Sequence, residues 1–171
     1  DSQHPLKSAE DAADYLKRLS AYAVVLDQES ARIQADAGRG VIPPDFAVDG
    51  AIKQLCQFAA LKASETVLVS SLARRVKDIP QIDAAAAAEM VARAEKITTE
   101  EVLPAYRRQI AALEVVRPRA AKEPGIWRVE GGDRYYAAVL KALTTTDLTP
   151  DQIHEMGLKL VASLSAEAEP I

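Results

Sequence analysis

IDAAAAAEMVARAEKITTEEVLPAYRRQIAALEVV, residues 82–116, carries one periodic pattern from end to end. A run of Ala is followed by Met90, Val91, Ala94, Ile97, Val102, Tyr106, Ile110 and Leu113, mostly in the steps of three and four that keep apolar side chains on one helix face. At the usual rise per residue this helix is about 50 Å long. Pro104 lies inside it. Its ring and missing amide predict a kink, with Tyr106 just beyond the bend. A compact domain of this length has a radius of gyration of about 15 Å, so part of one face of so long a helix must lie outside the core. An apolar patch is therefore expected along residues 97–113 or on the last helix, where the rest of a longer protein or a second copy would dock.

Upstream, Ser8 and Asp11 read as a capping box with Leu6 stapling the turn from outside. Leu16, Leu19, Ala23, Leu26, Ser30 and Ile33 then form the seam of a long helix packed against a nearly parallel neighbour. Gly38 is expected to close it in the left-handed conformation. Val41-Ile42-Pro43-Pro44 is a stiff extended connector, because each proline fixes its own φ and restricts its predecessor. A second helix runs to about residue 61 with Val48, Ile52, Leu55 and Ala59 on one face. Cys56 beside that stripe is expected to be a small buried hydrophobe. A short helix over residues 67–77 ends before Pro80.

Downstream of Val116, breakers lead to Gly131-Gly132, which interrupt the periodicity. Asp133 is expected to accept from first-turn amides of a helix carrying Tyr135, Val139, Ala142 and Leu143. The hydroxyl-rich run at residues 144–148 competes for backbone hydrogen bonds and ends it. Thr149, Pro150 and Gln152 then form a second capping box, and Ile153, Met156, Leu160 and Leu164 a stripe expected to be buried. No strand pattern competes with these helices. The fold class is all-α, about six helices in an elongated bundle with one long Pro-kinked helix, organised as a single helical region over residues 1–171.

Composition narrows the function. Apolar residues make up 49% and charged residues 27%, and the net charge of -4 argues against a nucleic-acid partner. Cys56 is the only cysteine, so no intrachain disulfide forms. No apolar run is long enough for a transmembrane helix. His154-Glu155 begins like the zinc-peptidase pattern His-Glu-x-x-His, but Leu158 stands where the second His belongs, and His4 is the only other histidine. No metal ligand set or cofactor site is therefore assigned within this chain. Gly131-Gly132 lacks the preceding strand of a dinucleotide site, and Cys56 has no adjacent His to make it a nucleophile. Arg134, Tyr135, Tyr136 and His154 remain as candidate substrate-binding residues. Neighbouring helical residues diverge by about 100°, so one tyrosine ring can pack while the other faces a groove. The competing reading makes the rings packing residues and bonds His154 to a nearby helix or loop.

Three blocks resemble a bacterial family known as domain of unknown function 885. They are Tyr15-Leu16 through Asp27-Gln28 and Arg32 into Arg39-Gly40-Val41-Ile42-Pro43-Pro44; Leu103-Pro104-Ala105-Tyr106; and Gly132-Asp133-Arg134-Tyr135-Tyr136 through Thr149-Pro150-Asp151-Gln152-Ile153-His154-Glu155-Met156-Gly157. Glu130-Gly131-Gly132 departs from the Leu-Pro-x-Gly expected there. The resemblance implies the N-terminal part of a larger helical, metallopeptidase-like fold whose later half carries the zinc motif. It also implies a periplasmic or lipoprotein-anchored location. This chain would then form one wall of the cleft of a hydrolase acting on peptides, without the catalytic metal motif, and its partner would be the remainder of its own polypeptide or a second copy. The alternative is a non-enzymatic helical interaction module.

Overall fold

The computed structural model describes residues 5–169, and every regular element among them is helical. In chain order these are α1 (Ala9–Gly38), α2 (Asp45–Ala59), α3 (Val67–Arg75), α4 (Ala84–Ile97), α5 (Leu103–Val116), α6 (Gly132–Thr144) and α7 (Pro150–Ala168). A π turn, Thr98–Val102, joins α4 to α5 without a break, so the two form the one long helix expected there and the all-α bundle has six. The chain divides into two compact units, Asp1–Lys122 and Glu123–Ile171. His4 lies outside the described residues.

α1 is the spine of the first unit. Its capping box closes as expected: Asp11 N donates to Ser8 Oγ at 3.1 Å and Ser8 N to Asp11 Oδ2 at 3.0 Å. Leu6, Leu16, Leu19, Ala23, Leu26 and Ser30 are buried. Ser30 is tolerated because its hydroxyl donates back to the Leu26 carbonyl at 2.8 Å. The helix ends at Gly38, but the left-handed residue is Gly40, at φ +79°. Gly40 N donates to Ala37 O at 3.1 Å and Val41 N to Asp36 O at 2.9 Å, the paired bonds of a Schellman motif, which place the glycine two residues later than the sequence reading had it.

Cross-links between α1 and the long helix keep nearly constant sequence separation. Tyr22 Oη lies 2.9 Å from Tyr106 Oη, Arg108 Nε donates to Asp27 at 2.7 Å, and Gln109 Nε2 donates to Glu29 at 2.9 Å. Their separations of 84, 81 and 80 residues mean that the two helices run parallel. Parallel helices need a return path, and α2 supplies it by running antiparallel to α5. It goes from Asp49, which accepts from Arg117 Nη2 at 2.8 Å, to Phe58, stacked on Tyr106 with ring centroids 4.4 Å apart. Leu72 and Val76 after the α2–α3 return, with Val102 and Ala105 from the long helix, close the core against α1.

The interruption at Pro104 takes a specific form. Proline cannot donate to the Glu100 carbonyl, and its ring crowds that turn. The backbone widens there, with Leu103 N–H reaching back past the usual i−4 acceptor to Thr98 O. The widened turn thus falls just before proline, and Tyr106 is held just beyond it by Tyr22 and Phe58.

One burial expectation fails in this unit. Cys56 is exposed, because of α2 only Val48 is fully buried and the stripe of Ile52, Leu55 and Ala59 is half-covered. In the Ala run of α4 only Ala87 is buried, so those residues contribute helix propensity on an open face rather than close packing.

The second unit is built from turns and two helices. Ile126–Arg128 is a short 3-10 turn, and α6 begins directly against it. Asp133 does not cap α6; the N-cap is Gly131, at φ +75°, with no side-chain bond. Sterics set this start. A Cβ on Gly132 would lie 1.9 Å from Ile126 O, so only glycine allows the helix so close to the preceding turn. α6 ends at Thr144 as expected, with Thr145 left-handed at φ 55°. The Thr149 capping box also forms: Gln152 N donates to Thr149 Oγ1 at 3.2 Å and Thr149 N to Gln152 Oε1 at 2.9 Å. The expected buried stripe of α7 does not. No residue of α7 is buried, because both hydrophobic clusters among the described residues draw on the first unit alone.

Candidate functional site

Arg134, Tyr135 and Tyr136 occupy the first turn of α6, just past the Gly131-Gly132 step, and His154 occupies the first turns of α7, just past Pro150. Each is exposed, Tyr135 by 63% and Tyr136 by 50%. Neither tyrosine enters a core, so the expectation of one packed ring and one open ring is not met; both are open. The Thr145–Thr149 connection spaces the two helix starts, and α6 packs on the 126–128 turn rather than on α7. The four side chains therefore belong to one unit and stand at its two successive helix starts.

Their chemistry is that of recognition rather than bond cleavage. Arg134 offers a planar fork of donors suited to a carboxylate, the two phenols offer flat apolar faces with a polar tip, and His154 offers an imidazole. Glu155 is the only acidic neighbour of His154 in sequence, and among the described residues no group of three His, Cys, Asp or Glu side chains comes together. The described residues thus do not fit a zinc site, and no reaction step through a metal is derived from them.

A second feature lies wholly within the first unit. α1, α4 and the π turn enclose a groove of about 750 Å³, floored by Leu16, Met90 and Ile97 and rimmed by Lys17, Arg93 and Glu101. The Ser20 hydroxyl donates to the Glu101 carboxylate, which joins α1 to the π turn across the end of the groove. Glu89, Lys96 and Glu100 also line it, Lys96 and Glu100 facing each other at 4.0 Å, so three basic and three acidic side chains balance and the rim favours neither anions nor cations. Sequence reading missed this groove. The available signal was Glu100-Glu101 just before Pro104, two carboxylates in the turn where the hydrogen-bond ladder has to open.

The phenol of Tyr106 titrates above its ordinary value because burial disfavours the phenolate, with the Tyr22 hydroxyl bond adding to the shift. At the surface, the hydrogen bonds from Arg108 and Arg117 hold the Asp27 and Asp49 carboxyls below the usual carboxylate range. All three groups brace α5 and are structural.

Comparison with solved structures places the same fold in a larger protein. The chain is 27% identical to the "putative lipoprotein" from Colwellia psychrerythraea, whose crystal structure matches with a TM-score of 0.91 over 95% of this chain and 28% of that one. This chain therefore spans little more than a quarter of the length of that protein. No helix among the described residues is long and apolar enough to cross a membrane. No curated protein matches the chain. The family model described as "Bacterial protein of unknown function (DUF885)" matches residues 1–171, the whole length, and the chain belongs to that family.

Proposed function

We propose that this chain is the helical N-terminal region of a zinc metallopeptidase-like hydrolase, that it forms one wall of the substrate cleft, and that the zinc is held by a part of the longer polypeptide outside residues 1–171. The observation carrying this reading is that Arg134, Tyr135, Tyr136 and His154 stand exposed at two helix starts, with no side-chain hydrogen bond or ion pair to another described residue. Packing consumes none of them. In this reading Arg134 pairs with a carboxylate of a peptide, the tyrosine faces cover apolar side chains while the Tyr136 hydroxyl bonds a polar group of the substrate, and His154 supplies a further polar contact. The metal, when bound, supplies an activated water. A periplasmic or lipid-anchored location belongs to the same reading, supported by the description of the Colwellia protein as a "putative lipoprotein".

The test is metal analysis of the full-length protein together with cleavage of a peptide library. Bound zinc and cleavage are expected from the full-length protein, and neither from residues 1–171 alone. Tyr136→Phe in the full-length protein is expected to keep its melting temperature and lower kcat/KM. A full-length protein that holds no metal and cleaves no peptide would overturn the enzymatic reading and leave the helical interaction module, which the uncovered apolar faces of α6 and α7 favour.

A further inference from the structure

The second unit has helices without a core. Met156, Leu158, Leu160, Val161 and Leu164 of α7 are all exposed, as are Tyr135, Tyr136 and Leu143 of α6, Leu143 by 80%. Among the described residues of this unit the buried ones are Gly125 and Gly132, neither of which contributes an apolar side chain. Apolar area left in water on this scale contributes nothing to order, and contiguous patches of this kind mark contact surfaces.

We infer that α6 and α7 are a docking face for the part of the same polypeptide that follows residue 171 in the full-length protein. This rests on the reading above that the chain is part of a longer one, but on neither zinc nor catalysis. Two observations choose this occupant. In the Colwellia structure the matched fold makes up 28% of a longer chain, and a match over 95% of this chain leaves too few residues over to omit either α6 or α7. The same two helices therefore occur there with ample polypeptide to cover them.

The shape of the face agrees. At about 100° per residue, Ile153, Met156, Leu160, Val161 and Leu164 span an arc of roughly 140°, wider than the a/d seam of a two-stranded coiled coil. Such an arc fits a groove between two elements of a larger core. Asp151, Glu155 and Lys159 fall on the opposite side and stay in water. Docking would leave His154 at the rim of the covered arc, beside Val161.

Thiol labelling tests this. Cys56 is exposed and would report, so the background is Cys56→Ser. Leu160→Cys samples the face, and Glu155→Cys samples the opposite side. Expected is labelling of Leu160→Cys slowed roughly tenfold or more in the full-length protein relative to the 171-residue chain, as for a site that must open locally to react, with Glu155→Cys unchanged. Hydrogen exchange of the unsubstituted proteins gives the same comparison should Leu160→Cys prevent folding: α7 amides protected in the full-length protein and open in the shorter one. Equal rates in both proteins overturn the inference. Protection that appears in the 171-residue chain alone and rises with its concentration also overturns it, in favour of a second copy. Protection in a full-length protein that binds no zinc and cleaves nothing sustains the docking face while the hydrolase reading fails.

Discussion

α1 and α7 are written in the same local grammar and end in opposite environments. Each opens on a capping box, Ser8 with Asp11 and Thr149 with Gln152, and each repeats apolar residues in steps of three and four. α1 buries Leu16, Leu19 and Leu26 against the long helix and α3, whereas α7 buries nothing. The difference shows that capping and periodicity make a helix, while burial requires a facing element. That element exists for α1 within the described residues and does not for α7. Order in the first unit is therefore cooperative, and order in the second is local.

The strongest way to break this comparison is a core truncation. Leu72→Ala, at a side chain 1% exposed between α3 and the spine, is expected to cost about 2–5 kcal/mol, read by denaturant unfolding monitored by circular dichroism. A smaller loss would mean that the first unit is less tightly packed than its core implies.

Gly132→Ala probes the local order of the second unit. A Cβ there meets Ile126 O, and backbone cannot step aside as a flexible side chain can, so the α6 start is expected to lose about 1–3 kcal/mol. Amide exchange should rise in α6 while the unfolding midpoint of the first unit stays in place. A shift of that midpoint would show that the two units unfold together.

Tyr106→Phe sharpens the account of the π turn. Losing the hydroxyl paired with Tyr22 is expected to cost about 1 kcal/mol at neutral pH, since the ring stack on Phe58 survives. The sign of its pH dependence follows from the raised phenol. The neutral form is the one the fold favours, so this contribution is complete below the ordinary phenol value and fades as pH rises through it. Alkaline destabilisation should therefore be shallower in Tyr106→Phe, as read from melting temperature against pH.

The smallest effect belongs to α7. Leu160→Ala in the 171-residue chain is expected to change stability by less than about 0.5 kcal/mol, because the side chain is exposed and its removal opens no cavity. A core-sized loss in differential scanning calorimetry would show that α7 is covered in solution.

Several features were legible in residue order because their causes are local. Ser8–Asp11 and Thr149–Gln152 satisfy amides within one turn of themselves, so their boxes could be placed before any neighbour was known. The break near Pro104 was legible too, since a missing amide is a property of one residue. The helix starts that carry Arg134, Tyr135, Tyr136 and His154 were legible, but the spacing of Tyr135 and Tyr136 did not show that both rings would be open. The groove under Glu101 was invisible because Ser20 meets it from 81 positions away.

By itself the sequence determined that this protein is helical, where most helices start and stop, and which faces are apolar, because propensity, capping and proline act over one or two turns. Only the tertiary structure decided which of those faces are buried. It set α1 parallel to the long helix, moved the left-handed glycine from Gly38 to Gly40, left Cys56 outside and required Gly132 to be bare. Each of these depends on what a second segment does nearby. Burial is a relation between two surfaces, and a periodic stripe specifies only one of them.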